Sequence, residues 1–588
     1  MRTSTLQYLY LQKPITMTIL ICIISVIPWI ALGDFSTKGE PREAAVAISM
    51  LESGDWILPL VYADEFAYKP PLAHWLMALC SYPQGYVSEF SSRLPSALAF
   101  IALMAYTLLF FGRRLRFQEA FISVLLLMTC VEMHRAGMTT RVDMLLTSFI
   151  VIALFQLYRW EDNIQLKGLP VAIPLLLSGA ILVKGPVGII LPLFVFGVYL
   201  LLLNKYSILT IIKSLLYIGV ASLFIPIIWY IAAWKQGGDE FLNLVFAENF
   251  GRFFRISNIN INYELGHEQG VLYNFQTLLT GFAPWTLFFF FSLFGLKIAK
   301  PNLSIADFFK KTWNRVRSME KVQQFSLVAL VCVIFFYSIP LSKRSTYLMP
   351  AYPFIALFLA QYALYLTEYR RKVTRWFAFF FVMVVSLALV AVALTFLGVI
   401  NPVNIAGQFT DSIRALESVQ LVSDMFTDMS LLTVLILLFN LFVVGTVFYQ
   451  LSKKINIKIL YSTIALAFAM NFMIDGVVMR SLRNGTSSRA FAEQIQKDYP
   501  LNQENVYVMN NLKDGYANLY GMNFYMGNAL NNFALELPSE GYFLSAEKSF
   551  EKVEQVYGDS YSFEKLTSSP NIIADVRDRI ILFHFSKK

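Results

Sequence analysis

Long apolar runs alternate with short polar connections along most of this chain, and the pattern predicts membrane-spanning helices. Many runs reach the roughly 20 residues that a helix needs to cross a hydrocarbon core of about 30 Å. We predict thirteen spans, each within a few residues at its ends, at 15–32, 94–112, 119–137, 143–160, 169–183, 186–203, 212–234, 273–296, 322–340, 346–366, 376–398, 429–451 and 458–476.

Composition excludes an ordinary soluble protein. The 588 residues are 57% hydrophobic, with 52 Phe and a mean hydropathy of +0.56, which is more apolar surface than a soluble domain can bury. The four cysteines lie in or beside apolar spans without a CxxC pair, so neither a disulfide framework nor a zinc knuckle is expected. The first span has no convincing cleavage site after it and is predicted to be retained.

Basic residues collect in alternate connections, and this bias orients the chain. The net charge of +9 is explained by these cytoplasmic clusters, so nucleic acid need not be a partner. The N-terminus is predicted to be cytoplasmic, and the external segments, periplasmic in a bacterium, are 33–93, 235–272, 399–428 and the tail after Met479.

The tail changes in composition. Mixed charge, Asn-rich turns and short strand-like runs near Val506, Gly541 and Arg579 predict a small α/β domain. We therefore divide the chain into a transmembrane domain, 1–479, and a periplasmic domain, 480–588. The fold class is a polytopic α-helical membrane protein with juxtamembrane helices and this C-terminal domain. Loops 33–93 and 235–272 are expected to form the site.

The first external loop holds the densest polar stretch, from Gly39 to Trp75. Apolar residues at helical spacing after Pro41 predict a short surface helix up to Leu51. Glu40 could act as a base, a hydrogen-bond acceptor or a metal ligand, and Arg42 could hold a phosphate through two hydrogen bonds. Helix capping with a local ion pair is the alternative for both residues.

Other polar groups also lie at the external ends of spans, where charge is costly. Two prolines would aim Lys69 rigidly, although a lysine at this depth can simply reach the headgroups. Arg141 and Asp143 belong to a polar connection that opens the fourth span. A turn or an anionic headgroup would explain Lys184. The later candidates are Glu248, Arg252, Lys343 and Tyr347.

Together these groups predict recognition of a lipid phosphate or diphosphate at the outer leaflet, with a carboxylate as base. A collection of interfacial anchors is the competing interpretation. Lys343 argues against it, because with its neighbour Arg344 it breaks the positive-inside rule, and an anionic headgroup would explain that.

The ordered motifs resemble the aminoarabinose transferase (ArnT-like) branch of the glycosyltransferase C superfamily, with protein O-mannosyltransferases as more distant relatives. The resemblance covers about residues 15–365. Its motifs are Glu-x-Arg, Gly-Asp-Trp-Ile-x-Pro, Lys-Pro-Pro-Leu-x-x-Trp, an Asp opening span four, Lys-Gly-Pro, Glu-x-x-x-Arg-Phe, Pro-Trp-Thr and Thr-Tyr-Leu-x-Pro.

The resemblance implies inverting transfer of a sugar from a polyprenyl (undecaprenyl) phosphate donor, with Asp143 central to the site. The family's first-loop Asp-Glu-x-Arg reads Gly39-Glu40-Pro41-Arg42 here, so Glu40 must serve or the base lies elsewhere. The positions implied to contact the donor phosphate are Arg42, Lys69, Arg252 and Tyr347.

The resemblance also bears on metals. Two acid or histidine positions associated with a bound zinc in relatives hold Tyr68 and Asn249 here, so no comparable metal site is expected. Metal dependence is otherwise left open, and no other cofactor is implied.

The sequence therefore predicts a multi-pass glycosyltransferase of the bacterial inner membrane, with Glu40 and Asp143 as candidate bases. The remaining substrate-binding candidates are Arg141, Lys184, Glu248 and Lys343. The expected partners are the lipid-linked donor, membrane lipids and an acceptor that is lipid A or another periplasmic glycan or lipid. Alternatives are a protein O-glycosyltransferase of the mannosyltransferase type and a transporter or flippase for a lipid-linked sugar. The sugar, the choice of base, the oligomeric state and the role of the C-terminal domain are left open.

Overall fold

Each of the thirteen predicted apolar segments coincides with a helix, or with a bent pair of helices, in the computed structural model. The structure describes residues 12–62, 65–67, 69–251, 269–270, 272–294, 304–340, 342–509 and 516–588. The long helices are Glu89–Gly112, Val142–Ile164, Ile208–Phe246, Lys321–Ser338, Tyr352–Tyr369, Arg371–Phe396, Leu431–Lys453 and Asn456–Met473.

Two further segments are bent rather than straight. Phe117–Thr129 and Val131–Gly137 meet at 70°, and Tyr273–Gly281 and Trp285–Leu293 meet at 103°. Shorter apolar helices are Pro14–Val26, Ala172–Lys184 and Val187–Leu203. Over the described residues, eight helices are long and apolar enough to cross a membrane, or up to ten if each bent pair is one span. The chain is therefore a multi-pass membrane protein, and the count of thirteen crossings stays a prediction.

Short helices lie between and after these segments. The predicted surface helix is present as Gly39–Ser53, and it ends where Gly54 adopts a φ of 72°. The others are Leu72–Ser81, Ile305–Arg317, Pro402–Ala406, Ile413–Thr427, Met479–Thr486, Arg489–Asp498, Tyr520–Tyr525, Phe533–Glu536 and Glu547–Tyr557, with 3-10 turns at Tyr82–Gln84 and Ser345–Ala351 and π turns at Ala247–Gly251 and Ile474–Val478.

Strands form one ribbon in the first loop and one sheet near the C-terminus. The ribbon pairs β1 (Leu60–Val61) with β2 (Glu65–Phe66). The sheet has the order β4-β3-β5-β7-β6, in which β3 runs parallel to β4 and β5 and the other pairs are antiparallel. Its strands are β3 (Val506–Val508), β4 (Asn531–Asn532), β5 (Glu540–Ala546), β6 (Tyr561–Ser568) and β7 (Ile580–Lys587). The domain boundary at residue 480 stays a prediction.

The C-terminal sheet and the surface helix share one buried core. Val506 and Leu544 of the sheet belong to the same apolar cluster as Ala45, Val46 and Met50 of Gly39–Ser53. Along the strands, the residues of this cluster alternate with a second buried set on the opposite face of the sheet. That set includes Phe543 and Phe583, which are register partners. The surface helix is thus fixed between the membrane-spanning bundle and the sheet.

Two glycines shape the hairpin formed by the helices Ala172–Lys184 and Val187–Leu203. Lys184-Gly185-Pro186 forms the predicted tight turn, with Gly185 at a φ of 87°. After the turn, a side-chain Cβ at Gly188 would lie 2.6 Å from the carbonyl oxygen of Ala180. The two helices therefore approach to backbone contact, which positions Lys184 at the mouth of the hairpin.

Gly188→Ala should destabilise the protein, because the added methyl group meets backbone atoms that cannot rotate away. We expect a cost of at least about 1–3 kcal/mol, seen as a lower midpoint of thermal unfolding in detergent. Gly445→Ala is the matched control. A Cβ added at Gly445 would have no atom within 4 Å, and alanine is favoured in a helix interior by about 1 kcal/mol. Equal midpoints for the two variants would contradict the close helix contact.

Candidate active site at the membrane surface

The surface helix and the segment after it bring one acid and three basic groups together. Glu43 is buried, and its carboxylate contacts Lys69 Nζ, with His74 Nε2 at 2.9 Å and Arg42 Nη2 at 3.6 Å. Burial alone would raise the pKa of Glu43, but Lys69 and His74 outweigh it and hold that pKa well below its usual range. Glu43 is therefore an ionised anchor for the basic groups around it.

Lys69 is less firmly protonated than an ordinary lysine. Burial lowers its pKa, Glu43 raises it, and the charges of Arg42 and Lys184 lower it again, so that the pKa comes to about 8. Because the charge of Lys184 lowers the pKa of Lys69, the two lysines belong to one electrostatic cluster.

A second carboxylate–lysine pair lies at the start of Val142–Ile164. Asp143 contacts Lys184 Nζ through a hydrogen bond, and the same ammonium group lies 4.5 Å from the ring centre of Tyr347. Tyr347 in turn packs against Tyr337, with 5.4 Å between ring centres. The hairpin turn and the 3-10 turn Ser345–Ala351 thus deliver a cation and an aromatic ring to the predicted acid.

Each pair lines a cavity. The first, about 390 Å³ including space open to solvent, is lined by Arg42, Glu43, Val46, Val61, Tyr62, Glu65, Phe66, Ala67, Lys69, His74 and Tyr520. The second is narrower, about 180 Å³ including space open to solvent, and is lined by Asp143, Leu146, Thr147, Lys184, Tyr337, Thr346, Tyr347 and Pro350. An anionic group that carries a hydrocarbon chain would meet a cation in each of the two cavities.

Glu40 lines neither of these cavities. Its carboxylate is 1% exposed and accepts hydrogen bonds from Arg93 Nε at 3.0 Å and the Thr140 backbone N–H at 3.1 Å. Burial would raise the pKa of Glu40, but the charges of Arg93 and Arg483 lower it overall. The geometry therefore gives Glu40 the position of a structural ion pair, although the sequence nominated it as a base.

The remaining predicted residues are distributed around this centre. The Arg141 guanidinium lies against Gly39, with Nη2 3.0 Å from where a Cβ would stand. Lys343 is buried and donates to the Gln269 carbonyl at 3.2 Å. Glu248 lies in the π turn Ala247–Gly251. Arg252 and Tyr68 fall outside the described residues.

The positions linked to zinc in relatives do not supply a comparable donor set here. The Asn249 side chain donates to the Val245 carbonyl at 2.9 Å, and its Oδ1 lies against Gly185. Among the described residues, no group of three or more His, Cys, Asp and Glu could hold a metal ion.

The sequence placed Glu43 and His74 in the polar stretch but did not nominate either for the site. Helical periodicity could not separate Glu40 from Glu43, because residues three apart lie on neighbouring parts of one helix face. Tyr520 had no local signal, since it reaches the first cavity from more than 450 positions away along the chain.

Known proteins resemble this chain in sequence. Residues 68–230 match the family described as dolichyl-phosphate-mannose-protein mannosyltransferase. An uncharacterized protein of Aquifex aeolicus (strain VF5) is 28% identical over 330 residues, which cover 55% of this chain and 58% of that protein. The undecaprenyl phosphate-alpha-4-amino-4-deoxy-L-arabinose arabinosyl transferase of Shewanella sediminis (strain HAW-EB3) is 22% identical over 352 residues, 58% of each chain. The chain thus matches less than two thirds of the length of either relative.

The fold has a solved counterpart. The crystal structure of ArnT from Cupriavidus metallidurans bound to undecaprenyl phosphate matches with a TM-score of 0.68 at 16% identity, over 98% of both chains. Its apo state gives 0.67 over 97% of both chains. The fold is therefore similar to that of ArnT, and the predicted resemblance to ArnT-like proteins is confirmed.

Glu40→Gln should lower stability, because it leaves the fully buried charge of Arg93 without its counter-ion. Breaking a buried ion pair on one side costs about 3–5 kcal/mol, measurable as loss of folded protein on heating in detergent. Glu52→Gln, a change at an exposed acid of the same helix, is the control. If Glu40→Gln were as stable as wild type, the structural role of the ion pair would be wrong, and Glu40 would again be a candidate base.

Proposed function

We propose, from the confirmed likeness to ArnT-like proteins, that this chain is a glycosyltransferase. It would move a sugar from a polyprenyl (undecaprenyl) phosphate to an acceptor, with inversion at the anomeric carbon. The observation that carries the proposal is the pair of carboxylate–lysine contacts, Glu43–Lys69 and Asp143–Lys184, in which both acids are buried. The charge of Lys184 also lowers the pKa of Lys69, which links the two pairs. The names of the relatives support the lipid-linked donor.

The lysines suit the leaving group. When the bond between the anomeric carbon and the phosphate oxygen breaks, negative charge grows on the lipid phosphate. Ammonium and guanidinium groups already oriented at that point stabilise the transition state more than the ground state. We assign this role to Lys69, Lys184 and Arg42, with Tyr347 positioning Lys184. Lys343, Arg252, Arg141 and Glu248 remain candidate substrate-binding residues.

Of the two candidate bases, Asp143 is the better placed. It lines a cavity beside Lys184, whereas the Glu40 carboxylate is enclosed by Arg93 and the Thr140 N–H. We propose that the acceptor hydroxyl or phosphate gives its proton to Asp143 as its oxygen bonds to the anomeric carbon. The sugar–phosphate bond breaks in the same step, and its electron pair leaves with the lipid phosphate.

The acceptor and the topology remain part of the proposal. We propose lipid A or another periplasmic glycan or lipid as the acceptor, while the name of the arabinosyl transferase relative supports the lipid-linked donor. The family description of residues 68–230 favours a protein acceptor instead.

We place the site and the C-terminal region on the periplasmic side of the inner membrane. Eight long helices, two bent pairs and three short apolar helices would supply the thirteen spans.

Asp143→Asn should abolish transfer, because an amide cannot take the acceptor proton. Mass spectrometry of lipid A and of undecaprenyl-phosphate sugars from cells is the measurement. We expect the donor lipid to accumulate and a sugar-sized mass to disappear from the acceptor pool, as in cells without the protein.

Asp411→Asn, at an exposed acid remote in sequence from the site motifs, is the control and should behave as wild type. Donor accumulation with unchanged lipid A would move the acceptor to protein or another glycan. Unchanged pools in both the deletion and Asp143→Asn would refute the transferase proposal.

Binding of undecaprenyl phosphate should weaken as the pH rises through about 8, because Lys69 has a pKa of about 8 and is charged only below it. Loss of one charged hydrogen bond corresponds to roughly tenfold or more in affinity. Titrations of the purified protein between about pH 7 and 9.5 test this, a range in which the phosphate charge stays constant.

Lys69→Arg is the matched variant for this titration. A guanidinium stays charged throughout the range, so the decline near pH 8 should disappear. A flat profile for the wild type would show that Lys69 does not hold the phosphate.

A further inference from the structure

The first cavity has a wall that the proposed phosphate chemistry does not use. Arg42, Lys69 and His74 contact Glu43. The lining also includes Tyr62, Phe66 and Glu65 from the ribbon region and Tyr520 from the C-terminal region. This aromatic and acidic set, Tyr62, Glu65, Phe66 and Tyr520, is called the aromatic wall below.

Backbone contacts fix the aromatic wall across the two ends of the chain. The Tyr62 hydroxyl accepts a hydrogen bond from the Leu519 N–H at 2.9 Å, and the Tyr62 N–H donates to Asn528 Oδ1 at 3.2 Å. Tyr62 holds a φ of 43°, a left-handed conformation that a tyrosine rarely adopts. The ring centres of Tyr62 and Tyr520 lie 4.7 Å apart. The position of Tyr520 is therefore set by the first loop.

The aromatic wall also meets the cationic side at one residue. The Arg42 guanidinium lies 5.8 Å from the ring centre of Tyr520. The Tyr520 hydroxyl donates to Glu65 Oε2 at 3.4 Å. A ligand that bridges the cavity would thus meet positive charge at one end, and aromatic faces with a carboxylate acceptor at the other.

We propose that the aromatic wall is the sugar subsite of this protein, in which Tyr520 of the C-terminal region packs against the sugar ring and Glu65 accepts its hydroxyl or amino hydrogens. The inference rests on the proposed function and deepens it. Aromatic faces bury the C–H face of a pyranose, and carboxylates accept from its polar groups.

Other occupants fit this wall less well. A polyprenyl tail would leave the Glu65 carboxylate facing hydrocarbon, which is costly for a charged group. A phosphate would be repelled by Glu65 and is better served by Lys69 and Arg42 across the cavity. A sugar phosphate matches both sides in one molecule, with its phosphate at the cations and its ring at the aromatic wall.

The test compares ligands that differ only in the sugar. The probes are undecaprenyl phosphate and its mannosyl and 4-amino-4-deoxy-L-arabinosyl esters, titrated onto the purified full chain. We expect wild type to bind at least one ester more tightly than undecaprenyl phosphate. Tyr520→Ala should weaken that ester roughly tenfold and change undecaprenyl phosphate by less than about twofold, whereas Lys69→Ala should weaken all three.

Two further variants keep the test decisive if Tyr520→Ala unfolds the C-terminal region. Tyr520→Phe keeps the ring and should bind the ester within about threefold of wild type. Glu65→Gln, at a half-buried side chain, should weaken the ester several-fold without affecting undecaprenyl phosphate. Tyr499→Ala, a half-buried tyrosine of the same region outside the cavity lining, should match wild type.

The outcomes separate the two proposals. A wild type that binds neither undecaprenyl phosphate nor its esters overturns the proposed function. A wild type that binds undecaprenyl phosphate and both esters with equal affinity overturns the sugar subsite alone. Equal loss of all three ligands in Glu65→Gln, or no loss in any variant of the aromatic wall, overturns it as well.

Discussion

The buried ion pair between Arg93 and Glu40 is the constraint on which the site depends. The Arg93 guanidinium is 0% exposed, and besides Glu40 it donates to the Ile30 and Asp34 carbonyls at 2.9 and 3.2 Å. One side chain thus joins the segment after the first apolar helix, the start of the surface helix and the body of Glu89–Gly112. The Glu40 carboxylate also accepts a hydrogen bond from the Thr140 N–H, three residues before Asp143, and so connects this segment to the same ion pair. Because an unpaired charge at this depth costs several kcal/mol, these elements keep one arrangement, which fixes the spacing of the two lysine-holding acids.

Three acids in this region have three different surroundings, and those surroundings assign their roles. Glu40 is enclosed by a guanidinium and a backbone N–H, so it has no open face for a substrate. Glu43 is held by Lys69 and His74 and faces the first cavity. Asp143 pairs with Lys184 and faces the second cavity. In the proposed function, Glu43 would hold the Lys69 ammonium group in place, and Asp143 that of Lys184, until a phosphate arrives. The acid–lysine contacts therefore prepare the site for an anion.

The sequence predicted local features well and long-range partners poorly. Hydrophobic length is a local property, so all thirteen apolar segments are found as helices or bent pairs, as are the surface helix and the turn at Gly185. Segments 119–137 and 273–296 were each predicted as one span, and each is bent, with Pro284 at the second bend. The predicted order and orientation of the spans were enough to predict that Asp143, Lys69 and Lys184 lie at the same face of the membrane. It could not show that Glu40 would pair with a residue 53 positions away, because that depends on how the helices pack.

The C-terminal region cannot be separated from the first loop without exposing apolar surface on both. Ala45, Val46 and Met50 of the surface helix are each 5% exposed or less, and they share their cluster with Met522 and Leu544. Each apolar side chain uncovered would cost about 1.5–3 kcal/mol for a large residue. The same packing carries Tyr520 to the cavity, so the region is a structural part of the site. Tyr520 comes from a different stretch of the chain than Arg42 and Lys69, so in the proposed sugar subsite it could change while those two residues stay fixed. The proposed subsite would therefore let one fold keep its chemistry at the phosphate and vary the sugar that it accepts.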